Sequence, residues 1–184
     1  MRIIAGSLKG RKLESLKGND VRPTGDKVKE AIFSMIDEYL EESVVVDLFS
    51  GTGNLGLEAL SRGAKKCYFG DNRPESIRVT KANIEYCKVA EQSVVFAGHF
   101  EKVLSKLPEK ADIIFLDPPY DKGFMISCFE KICALEVLNE NGIIVAEHGL
   151  NEKLPAVLCG FSKIKERRYG TIWVSLFLFS HLSE

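Results

Sequence analysis

The sequence predicts an α/β fold in which helices cover both faces of a mostly parallel sheet. Apolar runs that read as strands alternate with helical patterns along most of the chain, and a glycine-rich turn follows the first run. Strands buried on both faces are typical of parallel sheets, and strand–helix alternation indicates βαβ units. Two further β-like runs follow near the C-terminus. Together with the five parallel strands before them, they predict a seven-stranded, Rossmann-like sheet.

Residues 1–24 are predicted to form a β-hairpin appendage in front of this sheet. Two short β-like runs lie around Gly6 and Gly10, which favour turns. An amphipathic helix is then expected over residues 26–41, because apolar residues recur there at helical spacing. We therefore divide the chain into this appendage and one larger domain, residues 25–184.

The remaining elements follow from the same alternation of patterns. Strands are predicted over residues 44–49, 66–71, 93–97, 111–117 and 142–148. Helices are predicted over residues 54–62, 74–87, 99–106 and 123–138, with a short helix or turn over 151–159. Two β-like runs joined around Gly170 indicate a terminal antiparallel hairpin.

Composition excludes several classes of protein. The 184 residues suit one domain, and contents of 45% apolar and 28% charged residues are ordinary for a soluble globular protein. We find no run of eighteen apolar residues, and the N-terminal apolar run is too short for a signal peptide. The five cysteines form no CxxC pattern and the three histidines are dispersed. We therefore expect a cytoplasmic protein with reduced thiols and no metal site.

Charge is unevenly distributed along a chain whose net charge is −1. The first 30 residues contain eight basic and four acidic residues, a net charge of +4. Arg2, Lys9 and Arg11 belong to this basic segment, which can hold a polyanion although the whole protein is not basic. A solvated surface segment would have the same charge pattern, so both interpretations stay open.

The glycine-rich turn after the first strand has the spacing Gly51-x-Gly53-x-x-Gly56. This spacing fits a dinucleotide-binding turn, so the glycines alone do not identify the ligand. Asp47 ends the strand, and its carboxylate would repel a pyrophosphate but attract an ammonium or a sulfonium. S-adenosylmethionine carries both cations. The stretch therefore favours S-adenosylmethionine over NAD, and a turn without any ligand is the weakest interpretation.

Other strand ends provide further candidates for contacts with a cofactor. Asp71 ends the second strand, where an acid can bind the hydroxyls of a ribose. His99 and Phe100 open the segment after the third strand, where an adenine could be held. A surface histidine beside a core phenylalanine explains that pair equally well. Glu147 and His148 end the fifth strand, and we interpret them as an ordinary strand end rather than as catalytic residues.

The fourth strand is followed by Asp117-Pro118-Pro119-Tyr120. Ligands of open α/β sheets bind at the carboxyl ends of the strands, so this stretch should face the same crevice as the two earlier acids. The prolines hold the Asp117 carboxylate and the Pro118 carbonyl as acceptors beside a stacking ring. Such a site suits the exocyclic amine of a flat base, whose nitrogen becomes a better nucleophile as its hydrogens are accepted. A loop start with a capping aspartate is the alternative.

Four stretches taken together resemble a known family. They are MRIIAGSLKGRKL, VRPTGDKVKEAIFSMI, DLFSGTGNLGLEALSRGA and DPPY, in this order along the chain. The combination is similar to the RsmD-type 16S ribosomal RNA guanine-N2 methyltransferases of bacteria. The resemblance implies a class I methyltransferase fold, S-adenosylmethionine as cofactor and methylation of a guanine N2 amine in small-subunit ribosomal RNA. It also implies that the substrate is an assembled or assembling ribosomal subunit.

The resemblance further implies roles for individual residues. Those at the cofactor would be Asp47, Phe49, Ser50, Gly51, Gly53 and Asp71. Asn72, His99 and Phe100 are added as cofactor candidates from their positions after the second and third strands, and Asn72 lies in a segment that varies within the family. Those at the target base would be Asp117, Pro118, Pro119 and Tyr120. Those near the RNA or the pocket mouth would be Arg2, Lys9, Arg11, Arg22 and Thr24. The segment after the third strand departs from the family, which commonly has an acid or amide near the adenine.

Other functions stay open on the sequence. The same chemistry could act on the N6 amine of DNA adenine or on another RNA, although no separate DNA-recognition domain is evident. A small NAD-dependent oxidoreductase is supported by the glycine spacing alone. A non-enzymatic RNA-binding module would keep the fold and would not need Asp117. We expect a monomer that contacts no membrane.

Overall fold

The computed structural model describes residues 1–16, 25–119 and 123–179. Its helices are α1 (Asp26–Met35), α2 (Asn54–Ser61), α3 (Pro74–Cys87), α4 (Phe100–Leu104) and α5 (Phe124–Leu135). Its strands are β1 (Val44–Asp47), β2 (Lys66–Asp71), β3 (Ser93–Ala97), β4 (Ala111–Leu116), β5 (Leu138–Gly149), β6 (Val157–Leu158), β7 (Phe161–Tyr169) and β8 (Ile172–Phe179). Among the described helices, none has the length and apolar character needed to cross a membrane.

The strands form one eight-stranded sheet in the order β3-β2-β1-β4-β5-β8-β7-β6. Strands β1 to β5 are parallel, and β8, β7 and β6 continue the sheet in antiparallel pairs. The chain order reverses between β1 and β4, so ligands are expected in the crevice above these strands. The predicted α/β fold is confirmed. The additional strand is β6, which lies within the helix or turn predicted at 151–159.

Helices bury both faces of the sheet, which explains the continuous apolar runs of its strands. All four residues of β1 are buried. Ile113 and Phe115 of β4 pack in one core with α1, α2 and α3, whereas Ile114 and Leu116 pack in the other with α4 and α5. Because side chains alternate along a strand, Asp117 continues the face of Ile113 and Phe115 beyond the end of β4.

The helix predicted over residues 26–41 is shorter than its pattern suggests. It ends at Met35, and a 3₁₀ turn follows at Asp37–Tyr39. Glu42 then adopts a left-handed backbone conformation with a φ of 57°. The apolar spacing continues past the helix because these tighter turns still place Leu40 in the core while they reverse the chain into β1.

The helix predicted over residues 123–138 also ends early. Its last residue is Leu135, after which Glu136 adopts a left-handed conformation with a φ of 50°. The next strand starts at Leu138 instead of residue 142, because Leu138 already pairs with Ala111 of β4. Pairing of Leu138 with β4 therefore ends the helix earlier than the apolar spacing predicts.

The described N-terminal segment, residues 1–16, folds back along α2 and α3. It has the outline of the predicted hairpin, but a single antiparallel bridge joins Arg2 to Lys12. A regular ladder does not form because the backbone amides of Ile4 and Ala5 donate to a carboxylate of α2, at 2.8 and 3.0 Å. The segment is thus held mainly by α2 rather than by its own pairing.

That carboxylate belongs to Glu58, a fully buried charge. It lies 3.0 Å from the Lys29 ammonium of α1 and 2.8 Å from the Arg62 guanidinium. Lys29 also donates to Asn54 at 2.7 Å and to the backbone carbonyl of Arg2. Burial lowers the pKa of Lys29, and the Glu58 carboxylate opposes that shift. Each charge is tolerated in the core because its partners are present.

Replacing Glu58 by glutamine should therefore destabilise the protein strongly. The substitution leaves the Lys29 ammonium buried beside a neutral amide, and breaking a buried ion pair costs about 3–5 kcal/mol. Urea unfolding followed by circular dichroism measures the change in the free energy of unfolding.

The matched control is Glu14→Gln. Glu14 lies in the N-terminal segment that Glu58 holds from α2. It pairs with Arg78 of α3 at 2.9 Å, and both side chains are about half exposed. An exposed ion pair contributes about 0–1 kcal/mol. Equal losses of stability in the two variants would contradict the role given to Glu58.

Candidate active site

Three acids lie at the carboxyl ends of adjacent strands. Asp47 is the last residue of β1, Asp71 is the last residue of β2, and Asp117 directly follows β4. Strand β1 lies between the other two, so the three residues border the crevice at the reversal of strand order. The charge of Asp47 contributes to raising the pKa of Asp117, and that of Asp71 contributes to raising the pKa of Asp47. The structure thus brings together the acids that the sequence singled out.

Asp47 is a buried carboxyl group that serves two purposes. Its Oδ2 accepts a hydrogen bond from the Gly56 amide of α2 at 3.0 Å. Burial raises the pKa of Asp47 to about 7, the Gly56 amide lowers it, and the neighbouring Asp71 raises it further. The group therefore fixes α2 and at the same time presents a poorly solvated negative charge, which a cation in the crevice would stabilise.

Asp71 ties the glycine turn to the end of β2. Its Oδ2 accepts from the Gly51 amide at 2.9 Å and its Oδ1 accepts from the Arg73 amide at 2.9 Å. A carboxylate has about four acceptor positions. Both oxygens of Asp71 can therefore accept a further hydrogen bond, as binding of a ribose would require.

The glycines of the turn have different tasks. Gly51 and Gly53 have positive φ angles of 56° and 80°, and Gly53 directly precedes α2. Gly56 lies inside α2, where an added Cβ would come within 2.3 Å of the Phe69 ring and 2.6 Å of the Cys67 sulfur. Gly51 and Gly53 thus shape the turn, whereas Gly56 allows α2 to pack closely against β2.

Polar side chains of α3 hold the glycine turn by hydrogen bonds to its backbone. The Thr80 hydroxyl donates to the carbonyl of Gly51 at 3.1 Å. The Asn83 amide group donates to the carbonyls of Thr52 and Glu14, at 2.9 and 3.1 Å, and its oxygen accepts from the Glu14 amide at 2.7 Å. Asn83 therefore joins the glycine turn to the N-terminal segment.

The sequence analysis missed these supporting residues, although a signal for them is present. Ser76, Thr80 and Asn83 are buried polar residues spaced four and three residues apart on α3. Polar residues on the buried stripe of an amphipathic helix need hydrogen-bond partners. For Thr80 and Asn83 those partners are the backbone of the glycine turn and of the N-terminal segment.

Aromatic side chains cluster where β1 and β3 end and where α5 begins. His99 lies 4.5 Å from Phe100 between ring centroids, and Phe100 lies 6.1 Å from Phe49. Phe124, at the start of α5, joins them at 5.9 Å from His99 and 6.1 Å from Phe100. His99 is exposed and Phe100 is buried. The sequence analysis missed Phe124, whose contacts depend on how α5 packs against α4.

Asp117 is partly exposed at the mouth of the crevice, Pro118 is buried and Pro119 is exposed. Burial of its carboxyl group raises the pKa of Asp117 well above its usual range, and the nearby charges of Glu147 and Asp47 raise it further. A positive charge or a hydrogen-bond donor brought to this position would stabilise the ionised carboxylate. The site is therefore suited to accept hydrogens from a bound ligand.

Of the predicted RNA-binding residues, Arg2 lies beside the crevice. Its guanidinium pairs with Asp26 at 3.0 Å, at the start of α1. Lys29, in the next turn of α1, contacts Asn54, the first residue of α2. The glycine turn leads into α2, so the start of α1 lies at the same end of the sheet as the acids.

Lys9 and Arg11 lie toward the other end of α2 and α3. The turn that carries Lys9 is attached through the Ser7 amide to the Ser61 carbonyl, at the end of α2, at 2.7 Å. Arg11 donates to the backbone carbonyl of Tyr86, near the end of α3, at 2.9 Å. Its guanidinium also lies 5.9 Å from the centroid of the Tyr86 ring. A helix of eight residues spans about 12 Å, so these cations lie away from the acids.

Three predicted site residues, Arg22, Thr24 and Tyr120, lie outside the described residues. Asn72 is exposed directly after β2, and Ser50 is buried with its amide donating to the Gly70 carbonyl at 2.8 Å. Within the described ranges, no group of three or more His, Cys, Asp or Glu side chains could hold a metal ion.

Solved structures with the same fold carry names of methyltransferases. The "Putative methyltransferase yhhF" of Escherichia coli superimposes with a TM-score of 0.87 at 27% identity, covering 98% of this chain and 99% of that one. The crystal structure of the "putative methylase HI0767" from Haemophilus influenzae gives a TM-score of 0.81 at 29% identity, with 97% of each chain covered. The fold is that of the Rossmann-like methyltransferases.

The particular family follows from the sequence relatives. Residues 1–178 match the family model described as "Conserved hypothetical protein 95". The chain is 37% identical to the "Putative rRNA methyltransferase YlbH" of Bacillus subtilis, covering 96% of this chain and 98% of that protein. It is 35% identical to the "Ribosomal RNA small subunit methyltransferase D" of Haemophilus influenzae, covering 80% and 78%. The chain belongs to this family, the RsmD type that its sequence motifs resemble.

The raised pKa of Asp47 leads to a prediction about stability. Between its ordinary value of 3.8 and about 7, the folded protein keeps a proton that the unfolded chain releases. Stability is therefore lost as the pH rises through this range, at about 1.36 kcal/mol per pKa unit. Asp47→Asn should raise the free energy of unfolding, by up to about 4 kcal/mol above pH 7 and by less at pH 5.

Urea unfolding of both proteins at pH 5 and pH 8 measures this difference. Asp37→Asn, on the exposed 3₁₀ turn after α1, is the matched control and should give little change at either pH. A gain for Asp47→Asn that is the same at both pH values would contradict a titration of the buried carboxyl group.

Proposed function

We propose that this protein transfers a methyl group from S-adenosylmethionine to the exocyclic N2 amine of a guanine in small-subunit ribosomal RNA. The observation that carries the proposal is the position of Asp117-Pro118-Pro119 directly after β4, beside the buried Asp47 at the reversal of strand order. The names of the relatives support the RNA part of the proposal, because five of them are named as ribosomal RNA small subunit methyltransferases.

The residues of the crevice fit S-adenosylmethionine better than a dinucleotide. When bound, this cofactor supplies a methyl group on a cationic sulfur. Asp47 offers a desolvated negative charge on the side of the glycine turn, where a pyrophosphate would be repelled. Asp71 has acceptor capacity left for ribose hydroxyls, and the rings of His99, Phe100 and Phe124 offer a surface for adenine.

Asp117 and the Pro118 carbonyl would hold the target amine. An exocyclic amine is a weak nucleophile because its lone pair is delocalised into the ring. Two acceptors that bind its hydrogens return electron density to the nitrogen and orient it toward the methyl donor. Transfer would form the nitrogen–carbon bond and break the carbon–sulfur bond of the donor, which leaves as a neutral thioether, and the nitrogen would release one proton. The bound N–H groups favour the ionised form of Asp117, and the raised pKa makes that form a stronger base for the proton.

The RNA would reach the crevice past the N-terminal segment, along the surface that carries Arg2. We propose that the substrate is an assembled or assembling small subunit, and that the protein acts as a monomer in the cytoplasm, where bacterial ribosomes are built. The division into a substrate-binding appendage, residues 1–24, and a methyltransferase domain, residues 25–184, is part of this proposal.

The test is methyl transfer from radiolabelled S-adenosylmethionine to small subunits purified from a strain that lacks the enzyme. The modified nucleotide is then mapped by mass spectrometry and should be an N2-methylguanine. Asp117→Asn should reduce the rate by about 10²-fold, as expected when one group that stabilises the transition state is removed. Its affinity for S-adenosylhomocysteine, measured by calorimetry, should change little.

The exposed Asp37→Asn variant serves as the control and should methylate like the parent protein. A labelled methyl group on adenine would favour the alternative function, in which the N6 amine of adenine is methylated. Tight binding of NAD without binding of S-adenosylhomocysteine would reject the proposal.

Charge reversal in the N-terminal segment tests how the RNA is held. Each phosphate contact that is lost should reduce the slope of log affinity against log salt by about one unit. Because Arg2 lies nearest the acids, Arg2→Glu should weaken binding more than Lys9→Glu. Filter binding of ribosomal RNA at several salt concentrations measures both slopes, with Lys110→Glu on the exposed turn before β4 as the control. If all variants gave the same salt slope, the N-terminal segment would not contact the RNA.

A further inference from the structure

We propose that Glu147, at the end of β5, accepts the N1–H of the target guanine and selects guanine over other bases that carry an exocyclic amine. This inference rests on the proposed function and adds the residue that determines its base specificity. On the sequence alone, Glu147 is interpreted as an ordinary strand end.

The register of the sheet places Glu147 beside Asp117. Strands β4 and β5 are parallel, and Leu116 pairs with Ala146, so Asp117 and Glu147 follow as neighbours at the same level. Adjacent strands lie about 4.8 Å apart, and paired residues direct their side chains to the same face of the sheet. The neighbouring His148 has the opposite orientation.

Hydrogen bonding on the other face supports this orientation. The imidazole of His148 lies 2.9 Å from the Ser175 hydroxyl. Ser175 pairs with Ala146, which belongs to the core that contains α4 and α5. Because side chains alternate along β5, Glu147 faces the side on which Asp47 and Asp117 lie.

Burial and charge also link Glu147 to the acceptor site. Only 5% of Glu147 is exposed, and its charge contributes to raising the pKa of Asp117. The sheet register and this electrostatic influence both put the two carboxyl groups in the same part of the crevice, with Asp117 partly exposed and Glu147 buried. A base whose amine contacts Asp117 would direct its next ring atom toward Glu147.

The chemistry of the base edge makes this pair selective. In guanine the atom next to the N2 amine on the Watson–Crick edge is N1, which carries a hydrogen and donates. In adenine and cytosine the ring nitrogen next to the amine is an acceptor. A carboxylate at this position accepts from guanine but repels the lone pair of the other two bases. Two adjacent acceptors therefore match guanine.

The experiment compares guanine with 2-aminopurine at the target position of reconstituted small subunits. The 2-aminopurine base keeps the amine but has an acceptor at N1. The parent protein should prefer guanine by at least about 10²-fold in kcat/KM, because a carboxylate that binds N1–H would be left facing a lone pair. Glu147→Gln should lose most of this preference, since its amide can donate to N1 of 2-aminopurine.

Two comparisons control for a merely structural effect. Glu140→Gln makes the same change at the exposed start of the same strand and should keep the full preference. Glu147→Asp keeps the carboxylate and should methylate guanine more slowly while it retains the preference. Calorimetry with S-adenosylhomocysteine should give similar affinities for all variants, because Glu147 is not assigned to the cofactor.

Several outcomes would overturn the inference. If the parent protein methylates guanine and 2-aminopurine equally, or if Glu147→Gln keeps the parent's preference, Glu147 does not read N1 and the proposed function stands. If the parent protein fails to methylate small subunits containing guanine, the proposed function and this inference both fail.

Discussion

The buried carboxyl group of Asp47 is the constraint on which the rest of the site depends. It ends the central strand, accepts the Gly56 amide and so fixes α2 against the sheet. Its raised pKa means that ionising this group costs more free energy in the folded protein than in water. A fold selected for stability alone would have an apolar residue here. The unfavourable charge is understandable where a cationic ligand compensates it, a common trade-off between stability and activity.

The sequence predicted the order of the elements because β1, β2 and β4 are buried on both faces and so form continuous apolar runs, whereas the edge strand β3 is partly exposed. It also located the acids, because each of them directly follows an apolar run in the sequence. It could not place Glu147 beside Asp117, because neighbours across a sheet depend on strand order and register. It could not foresee Glu58 either, whose partners Ile4 and Lys29 are distant in the chain.

The N-terminal segment is less separate from the sheet than its sequence suggests. Ile3 and Leu13 are part of the same core as α1 and α2, and Asn83 binds Glu14 together with the carbonyl of Thr52 in the glycine turn. One amide side chain therefore links the part proposed to meet RNA with the part proposed to hold the cofactor. A ligand that orders one of them would restrict the other.

Strand β8 has a consequence for the way the chain reaches its native state. It lies between β5 and β7 and pairs with both of them, although it comes after both along the chain. Until it arrives, the parallel half of the sheet has an open edge at β5, with backbone groups that could pair with another chain. A late frameshift that removed β8 would leave this edge open for pairing with another chain, even with every crevice residue intact.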